Sequence, residues 1–282
     1  CSSDLTSNTI TLNITAVNDA PTATNLSAAE TYTEDTALNL TDIVISDVDS
    51  ASVTATLTLS NTEAGSFTTA TSGTVTSSYN STTGVWTASG AVAEVNVLLA
   101  GLTFTPATNF NNSFTISTTV SDGTTTLTGT KTVAGIAVND APYNNGMLPA
   151  SLTVIEDSLS PLDLSAVILA DFDAGSGQLT LTLTTSTGGQ LFASGGTGIT
   201  LAAGAYNYYV SITGTLTYLN AYLTNPCKIL YRHQTTNING SGADTLTVTV
   251  KDNGNTGLGG GTDINLGAVS INITPINDAP TA

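Results

Sequence analysis

A five-residue phrase recurs three times along this chain: VNDAP at 17–21, VNDAP at 138–142 and INDAP at 276–280. Its aspartates, Asp19, Asp140 and Asp278, are 121 and then 138 residues apart. Recurrence at domain-sized intervals marks a tandem array. Each unit must therefore close its own core and pass the chain on through the same joint. The 282 residues suffice for about two domains of ~100–200 residues. The phrases predict a division into the last strand of a preceding repeat (1–16), a linker (17–21), a first domain (22–137), a second linker (138–142), a second domain (143–275) and a linker to a following repeat (276–282). Each linker ends in proline, which fixes its own φ and biases the residue before it toward extended backbone.

Between the linkers the pattern is that of strands. Runs such as SVTATLTL at Ser52–Leu59, FTISTTV at 114–120, the run at 179–184 and TLTVTVK at 245–251 alternate polar and apolar residues. Period-two alternation puts one face of a strand in the core. Short strands separated by Gly, Asn, Asp and Ser turns predict all-β, Greek-key β-sandwich domains. Two stretches depart from this, AEVNVLLA at 93–100 and LTYLNAYL at Leu216–Leu223. Their spacing is helical, and each is expected to cap its sandwich with one or two turns. Cys227 follows Pro226 and reads as a small buried side chain; no disulfide with Cys1 is expected. No run of 18 apolar residues is present, so no membrane span is expected in this segment.

Four basic residues oppose 21 acids, a formal net charge of −17. Such a chain cannot neutralise phosphates, which excludes nucleic acid and anionic membrane surfaces as partners. It can attract divalent cations, and the acids are not scattered. Thirteen of the 21 fall into four phrases that recur in the same order. These are the terminal NDAP, a Glu-Asp pair (Glu34-Asp35, Glu156-Asp157), an Asp-x-Asp (Asp47 and Asp49, Asp171 and Asp173) and an Asp before a glycine turn (Asp122, Asp252). In an extended segment, residues two apart point the same way. Two such carboxylates repel unless a cation lies between them. Calcium takes six to eight oxygens from carboxylates, amide carbonyls and water, which Asp and Asn supply. Without a His/Cys cluster, zinc and copper fit poorly. Any one of these phrases could be ordinary turn chemistry. The offsets say otherwise: Asp19 to Asp47 spans 28 residues and Asp140 to Asp171 spans 31, while Asp19 to Glu34 spans 15 and Asp140 to Glu156 spans 16.

These phrases, in this order, resemble tandem cadherin repeats, and more closely the bacterial cadherin-like repeats of giant surface adhesins. The resemblance covers both units and the leading strand. It implies cadherin-like, immunoglobulin-like sandwiches stacked end to end, with calcium between successive domains. Carried over, the first junction would use Asn18, Asp19, Asp47, Asp49 and Asp122. The second would use Glu34, Asn139, Asp140, Asp171, Asp173 and Asp252. Glu156, Asn277 and Asp278 would form half of a third. The chain departs from the family pattern where Ala16, Ala137 and Pro275 replace the first linker aspartate, and it lacks the mid-domain Asp-x-Glu. The resemblance with these losses implies one or two calcium ions per junction. Asp35 and Asp157 read as turn residues or supporting neighbours.

The remaining candidates are weak. His233 has no nucleophile or orienting acid in any surrounding motif. Gly259, Gly260 and Gly261 lack the Lys and helix of a phosphate loop and read as the turn before the last strand. Tyr206, Tyr208, Tyr209, Tyr218 and Tyr222 concentrate in the second unit, where strand packing and a sugar platform compete as readings. The expectation is a non-enzymatic stalk segment of a secreted or surface-displayed bacterial adhesin, at the cell surface or outside it. Its partners would be neighbouring repeats of its own chain and other cell-surface or matrix molecules. The rivals are a ligand- or glycan-binding adhesin domain, and a fibre subunit that assembles by strand addition.

Overall fold

The computed structural model describes residues 10–255 and 257–278. Residues 1–9, Thr256 and 279–282 lie outside it, and with them Cys1, the start of the leading strand and the end of the third phrase. The chain divides into two compact units, Cys1–Gly135 and Ile136–Ala282. Each is a two-layered β-sandwich, as the alternation predicts.

In the first unit a six-stranded sheet runs, edge to edge, Glu30–Thr33, Thr126–Ile136, Phe114–Ser121, Ser52–Leu59, Val85–Ala91 and Ser78–Asn80. A three-stranded sheet of Leu38–Asn39, Thr103–Pro106 and Gly65–Phe67 supplies the other layer. Along Ser52–Leu59 the apolar residues Val53, Ala55, Leu57 and Leu59 are buried and the threonines between them are not. The layers meet through aromatic rings, with Phe104 and Phe114 centred 4.9 Å apart. Trp86 is fully buried, and its indole N–H donates to Thr68 O at 3.1 Å.

The second unit repeats this order with Ser151–Ile155, Ile264–Thr274, Gly240–Lys251, Gln178–Thr185, Tyr209–Thr215 and Thr200–Ala203 in the large sheet. Ser160–Pro161, Ile229–His233 and Gly189–Ala193 form the small one. The pairings in the large sheet are antiparallel except for Ser151–Ile155, which lies parallel to Ile264–Thr274.

The expected helices form at Val92–Ala100 and Leu216–Leu223, each directly after a strand. Helices this short are marginal alone and are held by burial of one stripe: Val95, Leu98 and Leu99 in one, Leu219, Tyr222 and Leu223 in the other. Thr215 caps the second by accepting from the Tyr218 N–H.

Cys227 corrects an expectation. It is exposed, because Pro226–Lys228 form a 3-10 turn in which the Cys227 N–H donates to Asn225 Oδ1 at 3.0 Å and no core layer lies over the thiol. Residues 10–16 form no strand in this structure, and Ile10, Leu12 and Ile14 are exposed.

Candidate metal centre

Local pairing explains how distant acids meet. In the first unit, Thr22–Ala23 pairs antiparallel with Ile45–Ser46, and Thr22 lies opposite Ser46. The linker residues Asn18 and Asp19 precede this pair, and Asp47 and Asp49 follow it. The late Asp122 sits at the end of the long strand Phe114–Ser121. In the second unit Tyr143–Asn144 pairs with Leu169–Ala170, Tyr143 opposite Ala170. Asn139 and Asp140 lie before it, Asp171 and Asp173 after it, and Asp252 at the end of Gly240–Lys251.

Each unit thus brings together five of the expected residues, and the hydrogen bonds repeat. Asp19 N–H donates to Asp49 Oδ2 at 3.0 Å, and Asp140 N–H to Asp173 Oδ2 at 3.2 Å. The Asn18 amide donates to Asp122 Oδ2 at 2.9 Å and to Asp19 O at 3.1 Å. The Asn139 amide donates to Asp252 Oδ2 and to Asp140 O. The Asp-x-Asp is not extended, as the alternation had implied, but bent. Asp47 Oδ1 accepts from the N–H groups of Asp49 and Ser50 at 3.1 and 2.7 Å, and Asp171 Oδ1 accepts from Asp173 and Ala174 at 3.1 and 2.9 Å. A turn in which the side chain captures its own backbone therefore gathers the carboxylates, rather than a strand face.

The environments of the late aspartates differ. Asp122 accepts from the N–H groups of Thr125 and Thr124 and from the Thr125 hydroxyl. With the Asn18 amide, these bonds hold its carboxyl far below the usual range. Asp252 is buried, which favours the neutral acid, but the N–H groups of Gly254 and Gly261 and the Asn139 amide outweigh burial and lower its pKa. Asp173 goes the other way. Burial first, then the neighbouring Asp171 carboxyl, push it up to about 6 against the Asp140 N–H.

These residues fit a hard divalent cation. Asp47 Oδ2, Asp171 Oδ2 and Asn139 Oδ1 are buried and accept no hydrogen bond among the described residues. An acceptor buried without a donor costs roughly 1–3 kcal/mol, a cost that coordination would remove. Three of the four basic side chains are engaged elsewhere, Lys131 on Glu30, Lys228 on Gly195 O and Arg232 on Gln190, and among the described residues no salt bridge reaches Asp47 or Asp171. Among the described residues, no three His, Cys, Asp or Glu side chains already converge as a ligand set. What converges is mixed, carboxylates with an asparagine amide, and oxygen donors of that kind suit calcium.

The two early glutamates lie elsewhere in their units. Glu34 is buried, and both its carboxylate oxygens accept from the Asn111 amide nitrogen at 3.3 Å. Glu156 is buried and accepts from the Asn239 amide at 2.9 Å and from the Ile276 N–H at 3.1 Å, where the third linker begins. Asn277 beside it donates to Asp278 O. Asp35 and Asp157 both take left-handed backbone, at φ 56° and 53°, and are turn residues.

Sequence reasoning missed the covering loop of the second unit. Residues 257–261 fold onto the linker rather than simply turning the chain. Asn139 N–H donates to Leu258 O and Leu258 N–H to Ala137 O, both at 3.0 Å. A Cβ on Gly260 would fall 2.4 Å from the Asn139 side chain, and Gly257 lies as close to the linker backbone with φ +88°. The signal was present as a run of glycines, but their target could not be read from spacing. His233 is structural: its ring nitrogens lie 2.9 Å from Thr187 O and 3.0 Å from Thr235 O. Of the five tyrosines, Tyr222 is core while Tyr206, Tyr209 and Tyr218 are exposed.

The two units share one topology, a six-stranded sheet packed against a three-stranded one. No protein-family model matches the sequence, and no curated protein does. Solved structures of similar fold include human protocadherin-24 EC1-2, with 14% identity over 90% of this chain and 99% of that one and a TM-score of 0.39. Drosophila N-cadherin EC1-4 shows 13% identity over 92% of this chain and 50% of that one, TM-score 0.36. The titin domains z1z2 in complex with telethonin show 13% identity over 93% and 100%, TM-score 0.28. Among the described residues no helix is long and apolar enough to cross a membrane.

Proposed function

We propose that this chain is a non-enzymatic structural segment of a secreted or surface-displayed bacterial adhesin, in which calcium held at the linkers stiffens a tandem array. The observation that carries the reading is the repeated cluster of linker, Asp-x-Asp and late aspartate, with buried oxygens left without donors. Asn18, Asp19, Asp47, Asp49 and Asp122 would hold calcium in the first unit, and Asn139, Asp140, Asp171, Asp173 and Asp252 in the second. Glu34 would join the second set, and Glu156, Asn277 and Asp278 would begin a third. The cation supplies positive charge where carboxylates otherwise repel. Extracellular modules bind calcium at roughly 10⁻⁴–10⁻³ M, so the array would be loose inside a cell and stiff outside. Small-angle scattering with and without chelator tests this. Calcium is expected to narrow the distribution of molecular dimensions, and identical profiles would sink the stiffening role.

A groove in the second unit of about 390 Å³, beside the exposed Tyr218 and Lys228, favours a second reading as a glycan-binding adhesin domain. Glycan-array binding abolished by Tyr218→Ala would favour it over the stalk.

A further inference from the structure

Each short helix carries one asparagine at its fifth residue, Asn96 in Val92–Ala100 and Asn220 in Leu216–Leu223. Both do the same thing. Asn96 Oδ1 accepts from Ile45 N–H at 2.8 Å while its amide donates to Ile45 O at 2.9 Å. Asn220 Oδ1 accepts from Leu169 N–H at 2.8 Å and its amide donates to Leu169 O at 2.9 Å. Ile45 and Leu169 each lie two residues before the first aspartate of an Asp-x-Asp, and both are buried. The two-residue strand that carries them is paired on one edge with the segment after the linker. On its other edge it has the asparagine, whose side chain replaces a neighbouring strand's N–H and C=O.

We propose that Asn96 and Asn220 are positioning residues for the two cation loops, which fix where Asp47 and Asp171 stand relative to the linker. This rests on the calcium reading above. No other side chain serves. Asp keeps the acceptor but loses the donor, Gln is one methylene too long for the same register, and Leu has the volume but neither bond.

The test is a calcium titration of the full chain, followed by the amide NMR signals of Gly123 and Gly254, which report the two loops separately. Asn220→Leu is expected to weaken calcium at the Gly254 loop by about 10–100-fold, the range for losing a partner that orients metal ligands, and to leave the Gly123 midpoint where it was. Asn96→Leu is expected to do the reverse. Asn220→Asp keeps the bond to Leu169 N–H and covers the case in which the leucine variant does not fold; it should also weaken only the Gly254 loop. Unchanged midpoints, or equal weakening of both loops, would overturn the positioning role while leaving the calcium reading intact. A wild-type protein whose signals do not titrate at all would overturn the calcium reading, and this inference with it.

Discussion

At the scale of single residues, the buried charges are the most consequential features and the least legible. Strand alternation in Thr126–Ile136 places Lys131 on the same inward face as Val133. Its partner, Glu30, lies 101 residues away at 2.7 Å, with Thr41 donating N–H and hydroxyl to the same carboxylate. No local pattern announces such a pair. Lys131→Met should cost the first unit about 3–5 kcal/mol, because it strands a buried carboxylate; urea unfolding followed by Trp86 fluorescence measures it. Asp244 is a second case. Burial favours its neutral form, but the Thr245 N–H, the Thr187 hydroxyl and the Tyr231 hydroxyl outweigh it and lower the pKa. A carboxyl with a depressed folded pKa contributes stability that is present above its unfolded value, about 3.9, and lost as pH falls through and below it. Thermal unfolding from pH 7 to pH 3 should therefore destabilise the wild-type second unit more steeply than Asp244→Asn, which starts lower and changes less.

At the scale of elements, period-two and helical spacing were sufficient where burial is one-sided. Ser52–Leu59 and Leu216–Leu223 form with the expected bounds. What spacing could not give was long-range register. The same helix whose apolar stripe is readable also carries Asn96 or Asn220, whose partner strand is only two residues long and so leaves no periodic signal. The glycine loop at 257–261 reads as a turn because glycine permits turns, whereas its close approach to Asn139 requires glycine for lack of room. Gly260→Val should lower calcium affinity of the second unit roughly tenfold, the lower end of losses when ligand support is disturbed. The first unit, whose late aspartate is followed by a short Gly123 turn, should be unaffected. Calorimetric titration of the variant checks both.

At the scale of the whole molecule, the recurring phrase implies an array, and the acidic composition is what the proposed calcium joints rest on. The four acidic phrases were legible because each recurs at a similar offset. The bend that gathers each Asp-x-Asp was not, because it depends on backbone N–H groups that sequence does not display. Two loops of carboxylates, in which neither Asp47 nor Asp171 forms a salt bridge among the described residues, leave a protein whose stability should follow calcium. At ten times the dissociation constant, each occupied site should add about 1.4 kcal/mol, read as a rise of a few degrees in Tm that chelator reverses. The central claim is that these two clusters are the calcium sites, and calorimetric titration of chelator-treated protein tests it most directly. Wild type should bind saturably with Kd of roughly 10⁻⁴–10⁻³ M. Asp47→Asn with Asp49→Asn should remove the first unit's share, and Asp171→Asn with Asp173→Asn the second's. Absence of saturable binding in the millimolar range, or binding that survives both pairs of substitutions, would contradict it.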